Sequence, residues 1–251
     1  MDIELIHFLY SPYNEKARWG LDFKGVAHLQ RSLLPGPHMP VVKRLTGQTG
    51  TPVVRFGDSY VHGSDRILEE LERRFPDPPL FPADAEVRRE AVEIEARIDD
   101  DWGPRVRCAV LAGVIPDARY VARMFGHDKP AWLQACYGAT FPFARGLIRK
   151  GNAITGPDSI SDGYEAAEAA LDFVAEKTRA TGFLVGDAFS VADLSVAWML
   201  APLCNPPDSS MARPQPYPEG LAKLLDHFHD HPSMRWILDL YATHRYRKAA
   251  A

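Results

Sequence analysis

Cysteine is scarce in this chain. Cys108, Cys136 and Cys204 are the only three in 251 residues, and no two stand at metal-ligand or redox spacing. A disulfide framework is therefore excluded as an organising device, and a reducing, cytoplasmic setting is expected. Long apolar runs are also missing: no stretch approaches the roughly 20 apolar residues that span a bilayer, so no membrane association is expected. Asp2 and Glu4, with no apolar region behind them, do not make a secretory signal. An excess of positive charge is lacking too. A net charge of -4 argues against a broad nucleic-acid surface, while leaving room for a local basic pocket.

What is present is ordinary for a soluble globular protein, with 46% hydrophobic and 25% charged residues. The length allows one sizeable core or two smaller ones. Proline is abundant, 21 in all, with clusters at 35–40, 76–82 and 202–218 that read as structured linkers.

The N-terminal stretch reads as strand, turn and helix. Ile3 to Phe8 has the pattern of a short buried strand. Tyr10-Ser11-Pro12-Tyr13 is a tight polar turn, and a helix is predicted from about Asn14 to Phe23, with Trp19 and Phe23 on its buried face. Ser11 thus sits where a strand ends and a helix begins, beside the free amides of a first helical turn. Lys16 and Arg18 lie on other faces of that helix and are expected to be solvated.

Further on, 27–33 is a second strand, parallel to the first across a helical crossover, and 41–46 a short helix. Thr51-Pro52 heads a third strand; by composition alone only about 5% of such bonds are cis. Gly57-Asp58 is a hairpin turn, and Ser64 reads as the cap of a helix carrying Ile67, Leu68 and Leu71. The order strand, helix, strand, helix, strand, strand, helix makes a small α/β sheet domain over 1–76, followed by a linker, 77–83.

The remainder, 84–251, is predicted to be all-helical. A long helix from about 84 to 107 is interrupted at Gly103-Pro104. Its acidic run, Glu93, Glu95, Asp99, Asp100 and Asp101, reads as mostly a solvated face; no histidine stands among these acids, so no metal is expected there. Arg105 and Arg107 face either a pocket between the two domains or solvent and acidic partners. Helices are predicted near 115–124 and 130–149, where Tyr120, Phe125, Trp132, Tyr137, Phe141 and Phe143 are mostly core, some lining an apolar site. Ser190 and Asp193 form a capping box, with Phe189 and Leu194 as a hydrophobic staple, ahead of a long apolar helix. His227, His229 and His231 alternate at two-residue spacing, which does not converge on a metal along a helix.

Together these features resemble the glutathione transferase superfamily, whose fold is a thioredoxin-like α/β domain with a mixed four-stranded sheet followed by an all-α bundle. Ser11-Pro12-Tyr13 resembles the family's Ser-Pro or Cys-Pro turn, and Thr51-Pro52 its cis-proline. Ser64 stands where the family has the serine of a Glu-Ser or Gln-Ser pair, and 183–193 is similar to its helical folding motif. The resemblance implies glutathione as co-substrate and no metal. Ser11 would stabilise the thiolate, with Tyr13 (and Tyr10) as rival donors, while Thr51, Pro52, Gly63, Ser64 and Asp65 would hold the peptide. Gly63 departs from the acidic or amide residue expected before Ser64, and Asp65 stands in as a partial substitute. The implied activity is attack of the activated thiol on a small apolar electrophile, with detoxification as its setting. Conjugation, isomerisation, dehalogenation and peroxide reduction stay open. Serine at position 11 argues against a mixed disulfide there. A homodimer is implied. The alternative is a non-catalytic ligand-binding or interaction protein on the same scaffold, which Gly63 slightly favours and Ser11, Pro52 and Ser64 oppose.

Overall fold

The computed structural model describes residues 2–246; the last residues of the predicted helical region, 247–251, lie outside the described residues. Strand β1 (Ile3–His7) buries Ile3, Leu5, Ile6 and His7, and this near-continuous burial puts it inside the sheet. It pairs in parallel with β2 (Leu29–Ser32) and antiparallel with β3 (Val53–Phe56). β3 turns through Gly57-Asp58 into β4 (Ser59–His62), giving the mixed order β2-β1-β3-β4. The crossover from β1 to β2 is helix α1 (Pro12–Phe23), and α2 (Met39–Thr46) follows β2.

Helix α3 (Ser64–Arg74) packs beside α1. The two approach closely because position 20 is glycine: a Cβ there would lie 2.2 Å from a Leu68 methyl. Trp19 and Phe23 are buried as their four-residue spacing predicts.

The second part is helical. Asp84 caps α4 (Ala85–Arg97), its carboxylate accepting the Glu86 and Val87 amides at 3.0 Å each. The predicted interruption arrives ahead of Gly103, as a wide π-type turn over Ile98–Trp102 before α5 (Gly103–Val114). Pro104 has no N–H to give to the preceding turn, so the helix loosens there. Next come α6 (Ala118–Phe125), α7 (Ala131–Gly151) and α8 (Pro157–Lys177). They are followed by α9 (Val191–Cys204), α10 (Glu219–Phe228) and α11 (Ser233–Leu240), then a second wide turn over Tyr241–Arg245.

Helix α9 is the axis of this half, with Val191 through Leu203 all buried. The capping box at its start is present: Ser190 Oγ accepts the Ala192 amide at 3.3 Å, and Asp193 accepts the Ser190 amide at 2.9 Å. Asp193 also accepts the Leu184 amide at 2.8 Å, tying the preceding loop to the cap. Phe189 lies between the two halves, stacked 5.8 Å from Trp19 of α1 and 4.4 Å from His244.

One expectation about charge is overturned. Lys16 and Arg18 are buried, not solvated. Lys16 Nζ meets Glu95 at 2.8 Å and Asp99 at 2.6 Å, so these two acids are its counter-charge, while Glu93, Asp100 and Asp101 are exposed as expected. Arg18 lies within 3.2 Å of Glu15 and donates to the Leu9 carbonyl at 3.1 Å. A full turn of α1 faces the helical part, and a cation left there without a partner would cost several kcal/mol. The aromatics of 120–143 also divide: Tyr120, Tyr137 and Phe141 are buried, whereas Trp132 and Phe143 are exposed on α7. No helix among the described residues is long and apolar enough to cross a membrane.

Candidate active site

Ser11 takes extended backbone angles (φ -128, ψ 123) at the N-cap of α1, and its hydroxyl makes no capping hydrogen bond. The next residue, Pro12, has no N–H. The Asn14 and Glu15 amides bind the Ser11 carbonyl at 3.0 and 2.9 Å. The set of free amides expected from the sequence thus narrows to the Tyr13 N–H, which has no acceptor among the described residues. One hydroxyl and one amide are left available at this turn.

The Tyr13 side chain is engaged elsewhere. Its hydroxyl donates to the Asp99 carbonyl at 3.3 Å, and its ring lies 4.9 Å from Trp198. Burial pushes the phenol up to about 12, against the pull of Arg107. A phenol that holds its proton this firmly is a poor source of a phenolate at neutral pH. Tyr10 is also raised by burial and reaches the Ala212 carbonyl at 3.4 Å.

Asn14 was not singled out in the sequence. It is buried, accepts the Phe8 amide at 3.3 Å and donates to Thr51 Oγ1 at 3.2 Å. It therefore fixes the end of β1 against the segment that starts β3. The Thr51–Pro52 peptide bond is cis. The Pro52 carbonyl accepts the Gly63 amide at 3.3 Å, which brings the start of α3 alongside.

Ser64 does not cap α3. Gly63 holds the N-cap position, and Ser64 is the first helical residue, buried. Gly63 sits at φ 91 and ψ 130. A side-chain-bearing residue pays about 1–3 kcal/mol of strain in such a region. Gly63 thus keeps the backbone path while removing strain. Accordingly, Gly63→Ala is expected to lower unfolding stability by about 1–2 kcal/mol, read from urea denaturation; an unchanged midpoint would show that the local backbone relaxes freely.

Tyr13, Thr51, Pro52, Gly63, Ser64 and Asp65 line one pocket, joined by Asp99 and Asp100. The open first turn of α3 makes one side of it electropositive, while the three aspartates make the other side negative. A zwitterionic end group fits that division. Ser11 lies in the adjoining cavity of about 260 Å³, which shares Tyr13 and Thr51 with the pocket. The far wall of this cavity is apolar: Leu111 and Val114 of α5, Val121 and Phe125 of α6, Tyr137 and Phe141 of α7. Tyr137 donates to the Pro35 carbonyl at 3.1 Å, and Lys129 to the Ser32 carbonyl at 2.9 Å, drawing the α6–α7 pair over the sheet domain.

Asp99, Asp100 and Asn14 are the site residues that sequence reasoning missed. The aspartates were visible only as part of a charge run; the available signal was Lys16, one α-helical turn from the Ser11 turn and in need of a partner. Arg105 and Arg107 separate cleanly. Arg105 binds Asp162 at 2.6 Å and Asp101 at 3.2 Å near the surface, whereas Arg107 lines the cavity. Among the described residues no group of three or more His, Cys, Asp or Glu side chains is arranged to hold a metal ion.

Comparison with known proteins bears on the fold and the family. Residues 5–79 match the family model of the glutathione S-transferase N-terminal domain, and residues 158–236 that of the glutathione S-transferase C-terminal domain. The chain is 27% identical over 147 residues to a maleylpyruvate isomerase of Ralstonia sp, covering 55% of this chain and 66% of that protein. It is 27% identical over 209 residues to the glutathione S-transferase TCHQD of Arabidopsis thaliana, covering 80% and 77%. Among solved structures, a glutathione S-transferase from Rhodospirillum rubrum superposes with a TM-score of 0.64 at 16% identity, over 98% of this chain and 90% of that one. One from Methylobacillus flagellatus with glutathione bound gives 0.64 at 18%, over 98% of each chain. Both family domains are matched in order on one chain with the same two-part fold, so this protein belongs to the glutathione transferase superfamily.

Proposed function

We propose that the protein is a glutathione-dependent transferase in which Ser11 stabilises the thiolate of bound glutathione for attack on a small electrophile. The observation that carries this reading is the uncommitted Ser11 hydroxyl beside the free Tyr13 amide, at the junction of a charged pocket and an apolar cavity. In this reading Ser64 and the open amides of α3 receive the γ-glutamyl carboxylate. Asp65, Asp99 and Asp100 face its ammonium group, the Thr51 backbone meets the cysteinyl backbone, and the sulfur lies toward Ser11. In this reading Gly63 contributes backbone geometry in place of a side-chain contact, which counts against the non-catalytic alternative.

Ser11 need not ionise. A hydrogen bond from a neutral hydroxyl to a charged acceptor is worth about 1.5–3 kcal/mol, and the helix start adds a smaller favourable field. None of the three cysteines lines the Ser11 cavity or the adjoining pocket, so turnover through a protein mixed disulfide is not part of the reading. The division into residues 1–76, a linker at 77–83 and a helical domain from 84 onward belongs to the same reading, as do a homodimer and a cytoplasmic detoxifying role.

The test is calorimetric titration with glutathione followed by an assay with 1-chloro-2,4-dinitrobenzene. Binding below 1 mM and glutathione-dependent turnover are expected; no binding at millimolar glutathione would end the proposal. A Tyr13→Phe variant is expected to keep kcat within about threefold, because loss of one modest neutral hydrogen bond removes nothing from the sulfur. Loss of turnover in that variant would reassign the donor to the phenol.

A further inference from the structure

Arg107 is the one charged side chain lining the larger cavity among the described residues. It has no carboxylate within ion-pair distance there, in contrast to Arg105 two positions earlier. Its guanidinium carbon lies 5.3 Å from the centre of the Tyr13 ring, and its Nε is buried without a hydrogen-bond acceptor. Arg107 also lines a small inner cavity behind the first, together with Trp198, whose indole N–H is likewise buried without an acceptor. One donor without an acceptor, on Arg107, thus stands where the cavities meet, and a second, on Trp198, lines the inner one. Tyr10, Pro12, Leu111 and Val114 form the rest of that junction, and none offers a carboxylate.

A guanidinium held in an apolar cleft is costly until an anion joins it, and a carboxylate matches its planar fork with two parallel hydrogen bonds. The opposite wall is built for a flat apolar body, with Phe125, Tyr137 and Phe141 facing it. Both features lie between the stretches matched by the family models, at residues 80–157. They are thus set by this chain's own central segment.

We infer that the electrophilic co-substrate is an anion: an apolar, aromatic-sized body bearing a carboxylate that pairs with Arg107. This rests on the transferase reading for the chemistry, but the anion site itself does not need glutathione.

Two probes separate the claims. The first pair is 4-chloro-3,5-dinitrobenzoate and its amide. In each, the sulfur–carbon bond forms at the ring carbon bearing chlorine and the carbon–chlorine bond breaks. Chloride leaves with the electron pair, and the thiol proton goes to solvent. Normalised to the uncatalysed rates, the wild type is expected to favour the carboxylate by at least tenfold in kcat/KM. Arg107→Met is expected to lower that preference about 30-fold, and Arg107→Lys by no more than about fivefold. The second pair is unreactive 3,5-dinitrobenzoate and its amide, titrated calorimetrically without glutathione; tighter binding of the carboxylate, lost in Arg107→Met, is expected. Equal affinity of the wild type for this second pair would overturn the inference, whatever the fold of the variants. So would an Arg107→Met variant that weakens glutathione binding and slows both reactive probes alike, since Arg107 would then serve the peptide. A wild type that prefers the carboxylate ligand yet binds no glutathione would uphold the anion site and sink the transferase reading.

Discussion

Replacing Ser11 by alanine is expected to lower kcat for glutathione conjugation by about 100-fold, the scale on which a single preorganised donor acts, with the glutathione dissociation constant changed by less than about threefold. The asymmetry follows from the geometry. Residues that would hold the peptide line the pocket with Ser64 and Asp65, whereas Ser11 stands in the adjoining cavity with its hydroxyl free of any capping duty. Removing that hydroxyl leaves α1 intact, because its first amides bind the Ser11 carbonyl and not the side chain.

The same substitution carries a spectroscopic signature. An ordinary thiol titrates near 8.5, and a charge-assisted hydrogen bond lowers that value by an amount equal to its preference for the thiolate. At 1.36 kcal/mol per unit, the expected loss of 100-fold corresponds to an upward shift of about two units in bound glutathione, read from thiolate absorbance against pH. The Tyr13 amide and the start of α1 remain, so the titration should not return fully to the free value. Unchanged turnover and titration in Ser11→Ala, with both lost in Tyr13→Phe, would transfer the role to the phenol.

The fold was legible because its signals were local. β1, the Gly57-Asp58 hairpin and the Ser190–Asp193 box each rest on neighbours within a few residues. Ser11 and Ser64 could be picked out as candidates for the same reason: both stand at strand-to-helix junctions. What stayed hidden depends on contacts distant in sequence. Lys16 reads as a surface lysine until Glu95 and Asp99, some eighty positions away, are placed against it. Arg107 looks equivalent to Arg105 until Asp162 is seen to claim one and leave the other. Gly63 looks like a lost ligand, and only its positive φ reveals a backbone position that glycine fits without strain.

The burial of charge in α1 leads to the second large effect, Arg245→Met, expected to reduce unfolding stability by about 3–5 kcal/mol, the usual cost of stranding one member of a buried ion pair. Arg245 is fully buried and meets Glu15 at 2.7 Å and Asp22 at 2.6 Å, both on α1. Glu15 also accepts from Ser210 and lies 3.2 Å from Arg18. Without Arg245, the fully buried Glu15 keeps only Arg18 as a cationic partner. A double variant, Glu15→Gln with Arg245→Met, is expected to recover less than half of the loss, since the buried Arg18 is then left without its carboxylate and Asp22 without Arg245. Arg18 is the link to the site: its donation to the Leu9 carbonyl holds the chain just ahead of Ser11, so turnover should fall along with stability.

The pH dependence provides an independent check. Burial alone would raise the Glu15 carboxyl, but Arg245 and Arg18 hold it below the ordinary 4.5. In the wild type its contribution is therefore present above about pH 4.5 and is lost as pH falls through the depressed value. In Arg245→Met burial dominates and the carboxyl rises above 4.5. Its contribution is then complete below that pH and is lost as pH rises. The stability gap between the two proteins should accordingly be widest near neutrality and close toward pH 4, measured by urea denaturation across that range. A gap that stays constant with pH would mean that Arg245 acts through packing against Trp19 and Tyr246 and not through its charge.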